Sequence, residues 1–191
     1  MHRTLLILAL VICCGCSKRG ASGGGGGGST HVEPDSRPAF VLNASKPFII
    51  ELGRGSGLFG LDVVKVTETG EVQLHRIAGG ANVETTSLRL SDARVRELVD
   101  AVNSLRLTGM GRSYSTDIQD GTQWVLWIQQ SPAEKSVYFN NAFPKEITAF
   151  AGRLDAMLQE AGLNGAAWTP VPEKEGRAEQ DALWARIEPP R

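Results

Sequence analysis

Beyond position 16 this 191-residue chain has no cysteine; its three thiols are Cys13, Cys14 and Cys16. Residues 17–191 therefore form no disulfide and hold no thiol nucleophile, so whatever folds there relies on its core alone. Histidine is as scarce, with only His2, His31 and His75. That excludes a multi-histidine metal centre within a domain. It also leaves His75 as the one base for a Ser-His-Asp constellation. With Gln73 and Ile77 as its neighbours on a strand, His75 reads instead as a solvated strand residue. Charge of one sign is missing too: 20 basic and 21 acidic residues give a net charge of −1. Such a balance offers no electrostatic footprint for nucleic acid and no polybasic patch for anionic lipid. No apolar run is long enough to cross a bilayer as a helix, which takes about 20 residues.

What is present begins with Leu5–Ile12, eight apolar residues behind a weakly basic start. That length suits the apolar region of a secretory signal, about 7 to 15 residues. Gly15 and Cys16 follow. The segment resembles a bacterial lipoprotein signal, in which the cysteine after a small residue is acylated and becomes the mature N-terminus. Cys13 stands where that motif usually has an aliphatic residue. The resemblance implies lipidation at Cys16 and membrane association through the acyl chains. It also implies a cell-envelope location, with Ser17 favouring the outer membrane over the inner. A zinc reading of Cys13-Cys14-x-Cys16 fails, because the thiols lie inside the targeting segment without paired, separated ligand clusters.

Composition then divides the chain. Residues 1–16 read as the signal. Residues 17–38, rich in glycine and serine, read as a flexible tether that cannot bury enough apolar surface to fold. Residues 39–165 read as one globular domain. Residues 166–191 read as a proline- and charge-rich frayed tail; the alternative is a short helix docking through Trp184 beside Leu183 and Ile187.

Within the domain, Pro47–Leu52 reads as a strand, and Asp62–Thr67 with Glu71–Ile77 as a hairpin around Glu68-Thr69-Gly70. Ser91 caps a helix to Arg106 whose Val95, Leu98, Val99, Val102 and Leu105 form one apolar stripe. Gln123–Gln130 alternates, with Trp124, Leu126 and Ile128 on one face and Val125 and Trp127 on the other. Lys135–Asn140 returns as a strand. Pro144 opens a second helix with Ile147, Phe150, Leu154, Met157 and Leu158 inward and Gly162 as its stop. The order strands, helix, strands, helix predicts an α+β fold: a mainly antiparallel sheet with two amphipathic helices on one face.

Several apparent motifs dissolve on inspection. Gly55-x-Gly57-x-x-Gly60 mimics a dinucleotide fingerprint, yet a strand pattern follows it where a helix is needed. Ser56 lacks the flanking glycines of a nucleophile elbow. Asp117–Gly121 has too few oxygen ligands for a calcium loop and reads as a capped turn. Asn43-Ala44-Ser45 matches a glycosylation acceptor. No cofactor and no nucleotide is expected. The stretch Gly53–Gly60 reads either as a tight, irregular link between strands or as a binding loop projecting Leu58 and Phe59.

From about Ile49 to Leu158 the order of elements is similar to that of emfourin-type inhibitors of thermolysin-like metalloproteases, small α+β proteins. Their glycine-rich "RSGGFAGI"-like segment after the first strand resembles Arg54–Leu61 here. Gly57, Gly60 and Leu61 coincide with it, and the aromatic residue falls one place later, at Phe59. Leu90-Ser91 through Leu98 resembles the family's entry into its helix. The resemblance implies a non-enzymatic domain that binds a protein or peptide, a protease in the inhibitor case. Leu58, Phe59 and Trp127 are the expected contact residues. Two alternatives stand beside it: a structural envelope component without a discrete ligand, and a hydrolase using Glu51, Asp62 and Asp117.

Overall fold

Valine and isoleucine at alternate positions set the centre of this structure, because β-branched side chains favour extended backbone and pack well on a pleated surface. The computed structural model describes residues 29–36, 41–56, 59–78, 82–107, 109–118 and 121–187. In chain order the elements are β1 (His31–Glu33), β2 (Ile49–Ser56), β3 (Gly60–Thr67), β4 (Glu71–Ile77) and β5 (Val83–Arg89). Then come α1 (Asp92–Ser104), β6 (Ser113–Ser115), β7 (Thr122–Gln130), β8 (Ala133–Asn140), α2 (Lys145–Glu160), β9 (Thr169–Val171) and α3 (Glu173–Ala185). All the described strands join one sheet, ordered β1-β6-β8-β7-β2-β3-β4-β5-β9. Only the β6–β8 pairing is parallel. The fold is α+β with a mostly antiparallel sheet.

Two apolar clusters form on opposite sides of the central strands. Ile50, Leu52, Val64, Val66, Leu126, Ile128, Val137 and Phe139 are buried together with Leu98 and Val102 of α1 and Ile147, Phe150, Leu154 and Leu158 of α2. The alternate residues Leu61, Val63, Val125 and Trp127 are buried with Leu183 of α3 and with Ile187. The period of two in a strand is what separates the sets. Local signals agree with the helices: Ser91 Oγ accepts the Arg94 N–H at 3.4 Å, with Asp92 in the first turn of α1. Pro144 sits just before α2, in the capping position and not the first helical one. Among the described residues no helix is long and apolar enough to cross a membrane.

The C-terminal region overturns the frayed-tail expectation. Thr169–Val171 adds β9 beside β5, and the following residues form α3. Leu183 is the fully buried docking contact, and Trp184, partly buried, packs against the same cluster with its ring 6.0 Å from that of Tyr138. The helix can lie this close because Gly53 has no side chain; a Cβ there would meet Leu183 Cδ2 at 2.6 Å. On the helix, a Cβ at Gly176 would meet Val83 Cβ at 2.5 Å. The element order is thus longer than strands, helix, strands, helix, and it holds a third helix.

At the other terminus, the sheet begins inside the expected tether, with β1 pairing to β6 at His31↔Ser115. Behind it, buried Lys135 donates to Asp35 Oδ2 at 2.8 Å and to the Met110 carbonyl at 2.7 Å. The Gly53–Gly60 stretch is also no irregular link. Gly53 to Ser56 remain strand, registered to β3 and to β7 as far as Ser56↔Gly60 and Ser56↔Thr122. Partners on both sides supply the hydrogen bonds that glycine's own weak strand preference does not.

Burying leucine fully stabilises by about 1.5–3 kcal/mol, and truncating it leaves a cavity besides. Leu183→Ala is therefore expected to lower stability by about 2–5 kcal/mol, read as a lower urea midpoint. An unchanged midpoint would show that α3 contributes nothing to the fold.

Candidate functional site

The β2–β3 hairpin is long for its loop. Ser56 pairs with Gly60, so only residues 57–59 connect the strands. The Phe59 N–H donates to Ser56 Oγ at 3.2 Å. Gly60 has φ +85°, a conformation that side chains disfavour. This geometry leaves Phe59 77% exposed.

The base of the hairpin is braced from both sides. Arg54 makes a two-pronged contact with Asp155 of α2, at 2.8 and 2.7 Å, and its guanidinium lies 5.9 Å from the Trp124 ring. From α3, Gln180 Oε1 accepts the Leu61 N–H at 3.4 Å. Asp62 Oδ1 accepts the Ile77 N–H at 2.9 Å, which ties β3 to the end of β4. Burial raises the Asp62 carboxyl above the usual range, with that hydrogen bond, Arg54 and Arg76 opposing the rise.

Beneath α3 lies a charged group of which the sequence singles out only Glu51. Glu51 pairs in register with Lys65 on one side and Trp127 on the other, so all three side chains share the α3 face. Arg186, just past the helix, bonds Glu51 Oε2 and stacks 3.6 Å above the Trp127 ring. Lys65 Nζ stands 3.6 Å from Glu51 Oε1. That oxygen accepts no hydrogen bond among the described residues. His75 joins the same face opposite Val63, half-buried with an unpartnered Nδ1, and is not the solvated strand residue expected. Burial lowers its pKa; Glu179 opposes this and Lys65 adds to it.

These positions settle where each expected residue stands. Cys16 and Leu58 lie outside the described residues. Phe59 is the exposed tip. Trp127 is a correction: at 5% exposure under Arg186 it offers no surface to a partner. Trp124 is the half-buried tryptophan, packed 4.8 Å from Phe143. The two faces expected for β7 are observed, and Trp127 is covered because α3 packs on its side of the sheet.

Glu51, Asp62 and Asp117 are not brought together. Glu51 and Asp62 point to opposite faces by strand parity, and Asp117 follows β6, 3.3 Å from His31. Among the described residues no three or more His, Cys, Asp or Glu side chains gather as a metal site. A cleft of 510 Å³ opens elsewhere, lined by Leu105, Arg106, Met110, Tyr114, Pro144 and Glu146 among others. No protein-family model matches the sequence, and no curated protein matches it.

Glu51 also shapes the response to pH. Burial raises its carboxyl above the ordinary 4.5; Arg186 and then Lys65 oppose this, and Glu179 adds to it. A carboxyl with a raised folded pKa binds its proton more tightly when folded, so stability falls as pH climbs from 4.5 through the folded value. Glu51→Gln is expected to flatten this part of the plot of urea midpoint against pH, with Asp62 retaining a remainder of the slope. Equal slopes in the two proteins would show that Glu51 is not the source.

Proposed function

We propose that this chain is a lipid-anchored envelope protein whose domain acts by binding a protein or peptide, without catalysis, through the tip of the β2–β3 hairpin. The observation that carries this reading is Phe59, an exposed aromatic ring on a hairpin braced from two sides. Aromatic residues are favoured anchors in protein interfaces, and a contact loop held in place beforehand loses less freedom on binding. In this reading α1 and α2 form one cover of the sheet and α3 the other, leaving the hairpin end open. Anchoring is supported by Leu5–Ile12, Gly15 and Cys16 in the sequence. The emfourin-like segment Arg54–Leu61 supports a protease as the partner, with the tip occupying a cleft that it does not present for cleavage.

Two experiments test the two halves separately. Cys16→Ser is expected to abolish incorporation of labelled palmitate and to move the chain from the membrane to the soluble fraction. Retained labelling would place the acyl chain elsewhere, and no label in the unaltered chain would remove it from the account. For binding, the unlipidated chain from residue 17 is expected to inhibit a thermolysin-type protease at micromolar concentration. Phe59→Ala should weaken that inhibition at least about tenfold, the loss typical of a hot-spot side chain. Unchanged protease activity dismisses the inhibitor version.

A further inference from the structure

The hairpin tip, the loop between β6 and β7, and the start of β1 all lie at one end of the sheet. The registers trace this strand by strand. His31 pairs with Ser115, Ser115 bridges to Asn141, Asn140 pairs with Gln123, and Thr122 with Ser56, which pairs with Gly60. His31 Nε2 stands 3.3 Å from Asp117 Oδ1, joining the first strand to the loop that carries Ile118. Asn141 holds that loop: its Oδ1 accepts the Thr122 N–H at 2.9 Å, and its Nδ2 donates to the Ile118 carbonyl at 3.2 Å.

Among the described residues, exposed large apolar side chains lie chiefly here. Phe59 is 77% exposed and Ile118 59%, on loops of the neighbouring strands β2 and β7, and Val32 of β1 is 52% exposed. The remaining strongly exposed one described, Val41, sits towards the opposite end, where the Asn43 N–H bonds Gln130 Oε1. The β3–β4 turn at Thr69 is also at that opposite end, roughly 25 Å away along the strands.

Ser17–Thr30 connects Cys16 to this apolar end. Its fully extended length is at most roughly 50 Å. A Gly/Ser-rich chain of that length has an r.m.s. span of roughly 20 Å. We infer that the hairpin end is the membrane-proximal end of the domain, and that the partner met by Phe59 is a protein displayed at the surface of the anchoring membrane. This rests on the anchoring and binding proposed above and specifies where that partner is found. A short tether at the contact end keeps the tip at high effective concentration for partners in the same plane. The near-neutral chain, with Arg54 already paired to Asp155 and only Lys18 and Arg19 beside the anchor, lacks the cluster of about four or more basic residues that recognises anionic headgroups, which favours a protein over the lipid itself.

The test uses the acylated full chain carrying a donor dye on Phe59→Cys or, in a second sample, on Thr69→Cys; residues 17–191 offer no competing thiol. Each is reconstituted into phosphatidylcholine vesicles containing an acceptor-labelled lipid. Energy transfer from position 59 is expected to be at least about twice that from position 69, given the separation of the two ends. Equal or inverted transfer from chains that float with the vesicles overturns the inference while leaving the anchor intact. Chains that fail to float overturn the anchoring proposal and the inference with it. A blue-shifted environment-sensitive dye at position 59 in these protein-free vesicles would make the bilayer the occupant and overturn the assignment to a protein. In native envelopes, a photoreactive side chain replacing Phe59 is expected to join a protein that stays with carbonate-washed membranes, while the same probe replacing Thr69 does not. Adducts with soluble proteins alone would overturn the assignment.

Discussion

One buried carboxylate governs the α3 side of this molecule. Glu51 sits in the middle of the sheet, and a charge there costs several kcal/mol unless it is paired. Lys65 comes from the adjacent strand, but Arg186 reaches Glu51 from just past α3. The pairing and the helix position therefore require each other. Gly53 completes the condition, since any side chain there would collide with Leu183. On the α3 face Glu51 meets Arg186, and Gly53 admits Leu183.

The consequence reaches the hairpin. Gln180 on α3 steadies the Leu61 amide, and Arg54 grips Asp155 from the opposite side of the sheet. A loop tip is the cheapest part of a fold to leave mobile, and a rigid base restricts what the tip can do. Here the base is tied to two helices, α2 (Lys145–Glu160) and α3 (Glu173–Ala185), on opposite faces of the sheet. The exposed ring at Phe59 is thus displayed by packing on both faces of the sheet, and not by the hairpin alone.

Legibility followed the range of the interactions. The β3–β4 hairpin was readable because Glu68-Thr69-Gly70 and the flanking valines act within a few residues. Helices α1 and α2 were readable because Leu98 and Val102, or Phe150 and Leu154, recur at the helical period. β5 was not: Glu84, Thr85, Thr86 and Ser87 carry no apolar alternation, and the strand forms because β4 and β9 flank it. β1 and β9 are three residues each, too short for any period. α3 has a thin stripe, and its reason to fold is the groove over Gly53, more than 100 positions away in the chain. The tryptophans show the same division. Their assignment to opposite faces of β7 follows from alternation; which of them is covered depends on Arg186, which no local pattern connects to Trp127.

By itself the sequence determined the thiol-free, histidine-poor character of residues 17–191, the near-neutral charge, the α+β class, and the central hairpin and two helices. These depend on composition or on contacts between near neighbours. Only the tertiary structure decided that the C-terminal region is a docked helix, that the glycine stretch continues a strand, that three acids stand apart, and that Phe59 shares one end of the sheet with His31. Each of those depends on burial and pairing between distant segments, whose free energy arises when they meet and leaves no periodic trace in either segment alone.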